Sequence, residues 1–596
     1  MTNSAVDTIF RNRDAAIDDR VDDLLGRLTL EEKAGLLFQA MTRTEPECVP
    51  DRDGDPLLPG MMYDLVVNHH ITHVNLMNVA DPATQARWKN AVDVLAARTG
   101  AGVPVTVSSD PRSAVAEREG ASHSAGDFSA WPEPIGVAAV RDAGLARQYG
   151  DTVRQEFNAV GIRMLLGPQV DIATEPRWAR ISGTWGGDPA TTGTLASAFI
   201  RGLQGDVVGP DSVACMVKHF PGGGPQKDGE DPHFPHGKDQ IYPGGHLAAH
   251  VEPFRAALAA GALQVMSYYG RPIGTELEEV GFAFNRQVLT DMLRGDLGFT
   301  GVISSDWAVL TDHDIMGEPH QARAWGVEHF DPDSRALKAL QAGTDQFGGD
   351  YLSEIVVRLV RDGRLSEFRL DESARRILHD KLLLGVFDAE PLVPDRAVET
   401  VGRADFVEAG LAAQRRSLTL LTNGGPASPT LPLKAGVKVY STTISQSVLS
   451  EYGTPVGSPA EADVAVLRLA TPYELRPGKF ESFFHTGPLD FAADRLAEIL
   501  ELLDTVPTVV VLNLERPAVV PEIAEHAAAL VAEYGSTDAA VLDVLFGRAR
   551  PEGRLPFQLP RSMADVLSGD LDEPHRFRHP LFEFGHGLDF AETPTS

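Results

Sequence analysis

One pattern constrains this chain more than any other: short apolar runs that stop at a polar residue, with helix-like segments between them. VPVTVSSD ends at Asp110, IRMLLGPQVD at Asp171, VACMVKHF just past Lys218 and His219, ALQVMSYY at Tyr269 and GVISSD at Asp306. ITHVNLMN before Asn78 and TDQFGG near Phe347 are weaker examples. Strands separated by helices form a parallel sheet, and polar residues at successive strand C-termini converge on one face. A (β/α)8 barrel builds its active site in that way, whereas an open doubly wound sheet gathers its ligands at one switch point. Five such strand ends predict a TIM-like barrel, although the pattern alone does not count eight strands. Ahead of them, residues 17–34 have helical apolar spacing, and Thr29 with Glu32 fits a capping box.

The alternation breaks at LLLGVFDAEPLVPDRA (382–397), where Pro391 and Pro394 mark a linker. It resumes with SLTLLTN, VKVYST, ADVAVLRL, TVVVLNL and ALVAEYG. The expected organisation is of the α/β class: a TIM-like barrel over 1–388, a linker over 389–403 and an α/β sandwich over 404–596. Ser536 is the expected N-cap of STDAAVLDVLFG, and the final AETPTS is expected to fray. Lys and Arg total 53 against 84 Asp and Glu, a net charge of −31, which repels phosphate backbones and anionic lipid. Neither a nucleic-acid nor a membrane partner is expected. No run approaches the ~18 apolar residues of a membrane span, and the N-terminus has no apolar run of the signal-peptide kind. The expectation is a soluble cytoplasmic enzyme, with homo-oligomerisation left open. Cys48 and Cys215 are too few for a disulfide framework, and Cys215, inside an apolar strand, reads as a buried thiol.

Asp306 lies in GFTGVISSDWAVL, where a carboxylate on a rigid strand can attack an electrophilic carbon. The same residue would serve equally as a helix N-cap. Lys218 and His219 stand side by side before a glycine-rich loop and can bind neighbouring sugar hydroxyls. That loop lacks the phosphate-binding pattern, and Pro221 and Pro225 remove backbone donors from it. Asp231, His233 and His236 match no metal spacing, so no metal is expected. Asp110, Asp171 and Arg177 are further strand-end candidates, each open to a purely structural ion-pair or loop role. Met266 and Tyr269, taken singly, read as core, and Trp307 can either stack on a sugar or pack. In the second unit, a loop (470–491) carries Glu474, Arg476, Glu481 and His485 and can reach across a domain interface.

Taken together, RVDDLLGRLTLEEKAGLL, WPEPIGVAAVRDAGLARQYG, EPRWAR, KHFPGGG and GVISSDW resemble glycoside hydrolase family 3, the β-glucosidase group. YGSTDAAVLDVLFGRARPEGRLPFQLPRS and FEFGHGLDF in the second unit continue the resemblance, in order, over most of the chain. It implies a barrel followed by a sandwich, an active site at their junction, and no fibronectin-like third domain. It makes Asp306 the nucleophile, assigns sugar binding to Asp110, Arg177, Lys218 and His219, and sets Tyr269 and Trp307 beside the sugar. The implied activity is a retaining exo-β-glycosidase, foremost a β-glucosidase acting on a β-linked glucoside or oligosaccharide, with no metal or organic cofactor. For the acid/base, many members carry a Glu directly after the second-domain strand, where this chain has Ala470. Glu474 is therefore the first choice and Glu481 the second. His233 is the third, in a barrel loop similar to that of the family's N-acetylglucosaminidases. Gly183 and Gly187 stand where the family often has Glu. The alternatives are a β-N-acetylglucosaminidase or phosphorylase with a His acid/base, a β-xylosidase, and a catalytically silent sugar-binding member.

Overall fold

The computed structural model describes residues 8–44, 49–50, 56–57, 61–116, 122–424 and 429–590; Cys48 and the terminal AETPTS lie outside the described residues. Eight parallel strands close into a barrel: β1 (Phe38–Thr42), β2 (His73–Leu76), β3 (Thr106–Ser109), β4 (Ile162–Leu165), β5 (Ala214–Phe220), β6 (Gln264–Ser267), β7 (Val302–Trp307) and β8 (Gln346–Gly348). Each pairs with the next in the chain, and β8 closes on β1 through Phe347 opposite Phe38. The barrel expectation holds, with one strand unread. β1 follows the helix Leu30–Leu36 with only Leu37 between them, so no loop separates the two periods. That helix is capped as expected: Thr29 Oγ1 accepts from the Glu32 amide, and the Glu32 carboxylate accepts from the Thr29 amide.

The N-terminal mouth of the barrel is sealed by buried charge. Asp345, fully buried before β8, accepts from Arg294 Nη2, Ser373 Oγ, Arg376 Nη1 and the Ile303 amide at 2.5, 2.7, 2.8 and 3.0 Å. Lys381 Nζ donates to the Thr72 and Pro104 carbonyls and to Thr106 Oγ1 at 2.8–2.9 Å, and burial holds its amine well below the usual range. Cys215 is buried, its Sγ against Gln204 Oε1, and desolvation pushes the thiol up to about 12.

Past the barrel, the segment read as linker contains a helix, Pro394–Thr400, and is tied back through Leu392, whose amide and carbonyl both bond the Asn90 side chain. The second unit is a six-stranded sheet: β9 (Thr419–Asn423), β10 (Lys438–Tyr440), β11 (Thr454–Pro455), β12 (Val464–Ala470), β13 (Thr508–Asn513) and β14 (Ala529–Glu533). The spatial order is β9-β14-β13-β12-β10-β11, with only β9 antiparallel to its neighbour. The helix Asp538–Leu545 is capped by Thr537 rather than Ser536. Glu533 accepts the Ser536 amide, which leaves the next residue to turn into the helix. Backbone bonds join the units, Glu133 N to Tyr534 O and Arg554 N to Ala139 O. Arg476 of the loop after β12 also pairs with Glu230 of a barrel loop at 2.6 Å.

Candidate functional site

The C-terminal mouth of the barrel opens into a pocket of about 90 Å³. Among its lining residues are Asp110, Lys218, His219, Tyr269, Asp306 and Trp307. Asp306 reaches it because β7 slips register against β8 between Ser304 and Trp307, and such irregularities re-aim side chains. The strand end is clamped on both sides. Tyr269 Oη accepts the Trp307 N–H and donates to the Trp307 carbonyl, each at 2.9 Å. Trp307 then lies so close over Gly348 that a Cβ there would fall 2.3 Å from its ring, which demands glycine. Asp306 is 6% exposed; its Oδ1 accepts the Trp307 amide at 2.8 Å, while Oδ2 has no hydrogen-bond partner among the described residues.

A second register shift, between Val217 and Phe220 of β5, lets both Lys218 and His219 line the pocket, although neighbours on a regular strand face opposite ways. Lys218 Nζ pairs with Asp110 Oδ1 at 3.0 Å. His219 Nδ1 lies 2.7 Å from Asp171 Oδ2, while the other Asp171 oxygen accepts the His219 and Gly223 amides. Burial pushes Asp171 up to about 6 and holds His219 well below 6.5, with Arg180 adding to the latter effect. At neutral pH the imidazole is therefore neutral, with Nδ1–H on Asp171. Its Nε2 lone pair faces the pocket, 3.9 Å from Asp306 Oδ2.

The loop after β5 supplies a second buried Asp–His pair. His233 Nδ1 lies 2.5 Å from Asp231 Oδ1, and Trp178 Nε1 donates to Asp231 Oδ2 at 3.0 Å. Burial works against the Asp231 carboxylate, yet His233 and Arg180 hold it well below the usual carboxylate range. Burial also lowers His233, with Asp231 pulling the other way. The imidazole lines the pocket, 4.8 Å from the Tyr269 ring and 4.9 Å from that of Phe484. Arg180 lines it too, kept charged against desolvation by Tyr268, Asp231, Asp306 and Asp171. Phe480 from the second unit completes the rim, packed with Phe234 and Phe484 at centroid distances of 5.8 and 5.2 Å.

Two expected site residues are not brought to the pocket. Arg177 pairs with Glu175 at 2.8 Å, and Arg180, further along the same loop, takes the position in the pocket. Glu474 has a side chain 57% exposed, 3.7 Å from Arg476. The loop that carries it is held by Thr471 Oγ1 on the Asn513 and Arg516 carbonyls, by Arg516 on the Pro472 carbonyl, and by Arg476 on Glu230. Glu481 lies 3.3 Å from His236, also away from the pocket. The sequence reading missed Arg180, Arg323 and Phe480. Arg180 was visible as the second arginine of EPRWAR, and Phe480 as part of the aromatic run FESFF. Arg323 Nη1 donates to the Trp307 carbonyl at 3.2 Å, and nothing in its QARAW surroundings marks it.

The family model described as Glycosyl hydrolase family 3 N terminal domain matches residues 57–379, and the Glycosyl hydrolase family 3 C-terminal domain matches residues 453–590. Probable beta-glucosidase C of Aspergillus flavus is 47% identical, over 98% of this chain and 92% of its own. The periplasmic beta-glucosidase/beta-xylosidase of Dickeya chrysanthemi is 39% identical, over 96% of this chain and 90% of its own. Among solved structures, the Q683A variant of an exo-1,3/1,4-beta-glucanase from a Pseudoalteromonas species superposes with a TM-score of 0.78 at 21% identity. It covers 98% of this chain and 97% of that one, and supports the fold.

Proposed function

Because the chain belongs to glycosyl hydrolase family 3, we propose that it is a retaining exo-β-glucosidase with Asp306 as nucleophile and His233 as acid/base. The carrying observation is that one pocket holds Asp306 with a bare Oδ2 and His233 on a buried carboxylate. Asp110 and Asp306 are the only carboxylates lining it among the described residues, and Asp110 is bound to Lys218. A glutamate acting as proton donor would have to come from outside the lining.

The reaction is a double displacement. Asp306 Oδ2 attacks the anomeric carbon as the glycosidic C–O bond breaks, and the proton on His233 Nε2 passes to the leaving oxygen. Asp231 stabilises the imidazolium needed for this step. In the second half, His233 takes a proton from water, whose oxygen displaces Asp306 and releases β-glucose. Asp110, Lys218, the His219 Nε2 lone pair and Arg180 offer a mixed array of acceptors and donors to the ring hydroxyls. Trp307 offers an apolar face, and the pocket at the barrel mouth accepts a terminal sugar. A second reading, activity on β-xylosides as well, is supported by the name of the Dickeya relative.

The test is a dinitrophenyl β-glucoside assayed on His233→Ala with azide. The expected product is β-glucosyl azide, with turnover restored. Azide rescue of Glu474→Ala or Glu481→Ala instead would move the acid/base role, and α-glucose as first product from the wild type would overturn retention.

A further inference from the structure

Asp306 comes from the end of β7 and His233 from the loop after β5, yet the reaction needs the two groups at a fixed separation. They are not equally held. Tyr269 Oη clamps both the amide and the carbonyl of Trp307, which fixes the strand end beside Asp306. His233 sits in an irregular stretch between two short turns, Lys227–Gly229 and Pro235–Gly237.

The chain past β7 spans the gap. After a small hairpin, His313–Ile315 with Glu318–His320, residues 321–325 run without regular structure, and Arg323, Ala324 and Trp325 are buried. On the nucleophile side, the Arg323 amide donates to the Ala308 carbonyl at 2.9 Å and Nη1 to the Trp307 carbonyl at 3.2 Å. On the other side, Arg323 Nε donates to the His233 carbonyl at 3.4 Å and Trp325 Nε1 to the Pro232 carbonyl at 2.8 Å. The Arg323 guanidinium also lies 5.5 Å from the centre of the Tyr269 ring, which His233 meets edge-on at 4.8 Å. We infer that Arg323 is a positioning residue for His233, anchoring it to the clamped end of β7, an inference that rests on His233 as the acid/base. A guanidinium suits the task because its rigid fork reaches two carbonyls at once, which an ammonium does not.

The same cation acts on the imidazole through space. Burial lowers the His233 pKa most, Asp231 raises it, and Arg323 and Arg180 lower it further. His219, Tyr269 and Asp306 line the pocket with it. The second-unit loop meets it with the rings of Phe480 and Phe484, its Glu481 turned to His236. Removing the Arg323 charge therefore favours the imidazolium, so the acid form persists to higher pH.

Arg323→Met removes bonds and charge together, whereas Arg323→Lys keeps the charge and loses the fork. On methyl β-glucoside, Arg323→Met is expected to lower kcat about 10²-fold, with KM within about twofold. It is also expected to move the falling limb of kcat/KM to higher pH. Arg323→Lys is expected to lower kcat while leaving that limb at its wild-type position. In a His233→Ala background, Arg323→Met is expected to cost less than about threefold further, since no imidazole is left to position. Trp325→Phe, which removes only the bond to Pro232, is expected to lower kcat in the wild type and to have no further effect beside His233→Ala. It carries the test if thermal melts show Arg323→Met unfolded. Wild-type kcat in Arg323→Met, an unmoved limb, or the full loss repeated in the His233→Ala background would each overturn the role of Arg323; the last is what a merely structural residue gives. Methyl glucoside turnover unchanged in His233→Ala alone would instead overturn the acid/base reading.

Discussion

The two mouths of the barrel hold buried charge in opposite ways. At the N-terminal mouth the buried carboxylate and amine are both met: Asp345 sits among Arg294, Arg376, Ser373 and a backbone amide, and Lys381 has three acceptors. At the C-terminal mouth, Asp306 Oδ2, Trp307 Nε1 and Arg180 Nε are left bare among the described residues. An unmet buried polar atom costs about 1–3 kcal/mol, so the fold carries this arrangement only because the closed lower end and the packed helices hold it. The contrast separates residues kept for stability from residues kept for chemistry, as barrel enzymes generally do.

Substitutions at the two mouths test that separation. Asp306→Asn is expected to lose several orders of magnitude in kcat while its melting temperature stays near the wild-type value; a large fall in Tm would place Asp306 with the stabilising charges. His233→Ala is expected to cost about 10²–10⁴-fold in kcat/KM on alkyl glucosides, with a much smaller loss on dinitrophenyl glucoside, whose leaving group needs no proton. Asp345→Ala is expected to do the reverse, costing about 3–5 kcal/mol of stability by leaving arginines buried without their partner. The folded fraction should keep its kcat, measured by thermal melts beside initial rates.

The pH profile sharpens the upper mouth alone. Burial holds the His233 pKa below 6.5, so its acid form is populated below that value and lost as pH rises through it. Wild-type kcat/KM is therefore expected to fall with rising pH past a midpoint under 6.5, a limb that His233→Ala flattens for dinitrophenyl glucoside. A midpoint well above 6.5 would point to a different acid. The smallest effect belongs to Glu474→Ala, expected to change kcat/KM by about twofold at most, as for an exposed surface residue.

The barrel was legible because its strand ends announce themselves: Asp110, Tyr269 and Asp306 close apolar runs, Lys218 and His219 stand just before the end of another, and all five line one pocket, while Asp171, which closes a further run, holds His219 from outside that lining. What escaped depended on loops. β1 was hidden because a capped helix runs into it without a loop between them. Glu474 and Arg177 have suitable chemistry, but their direction is set by tertiary contacts, Arg476 on Glu230 and Arg177 on Glu175, which no local pattern reveals. His233 was visible as a residue two positions after Asp231. Its weight over the glutamates comes from burial, which composition does not report. Phe480 and Arg323 reach the pocket from a second-unit loop and a long barrel loop, where side-chain direction follows tertiary packing.

The bare oxygen of Asp306 is most directly tested by incubating the protein with 2-deoxy-2-fluoro-β-glucosyl fluoride, digesting it and locating the adduct by mass spectrometry. A stoichiometric fluoroglucosyl ester on Asp306, formed as activity disappears, is the expected result. An adduct on any other residue, or unimpeded turnover with no adduct, would contradict it.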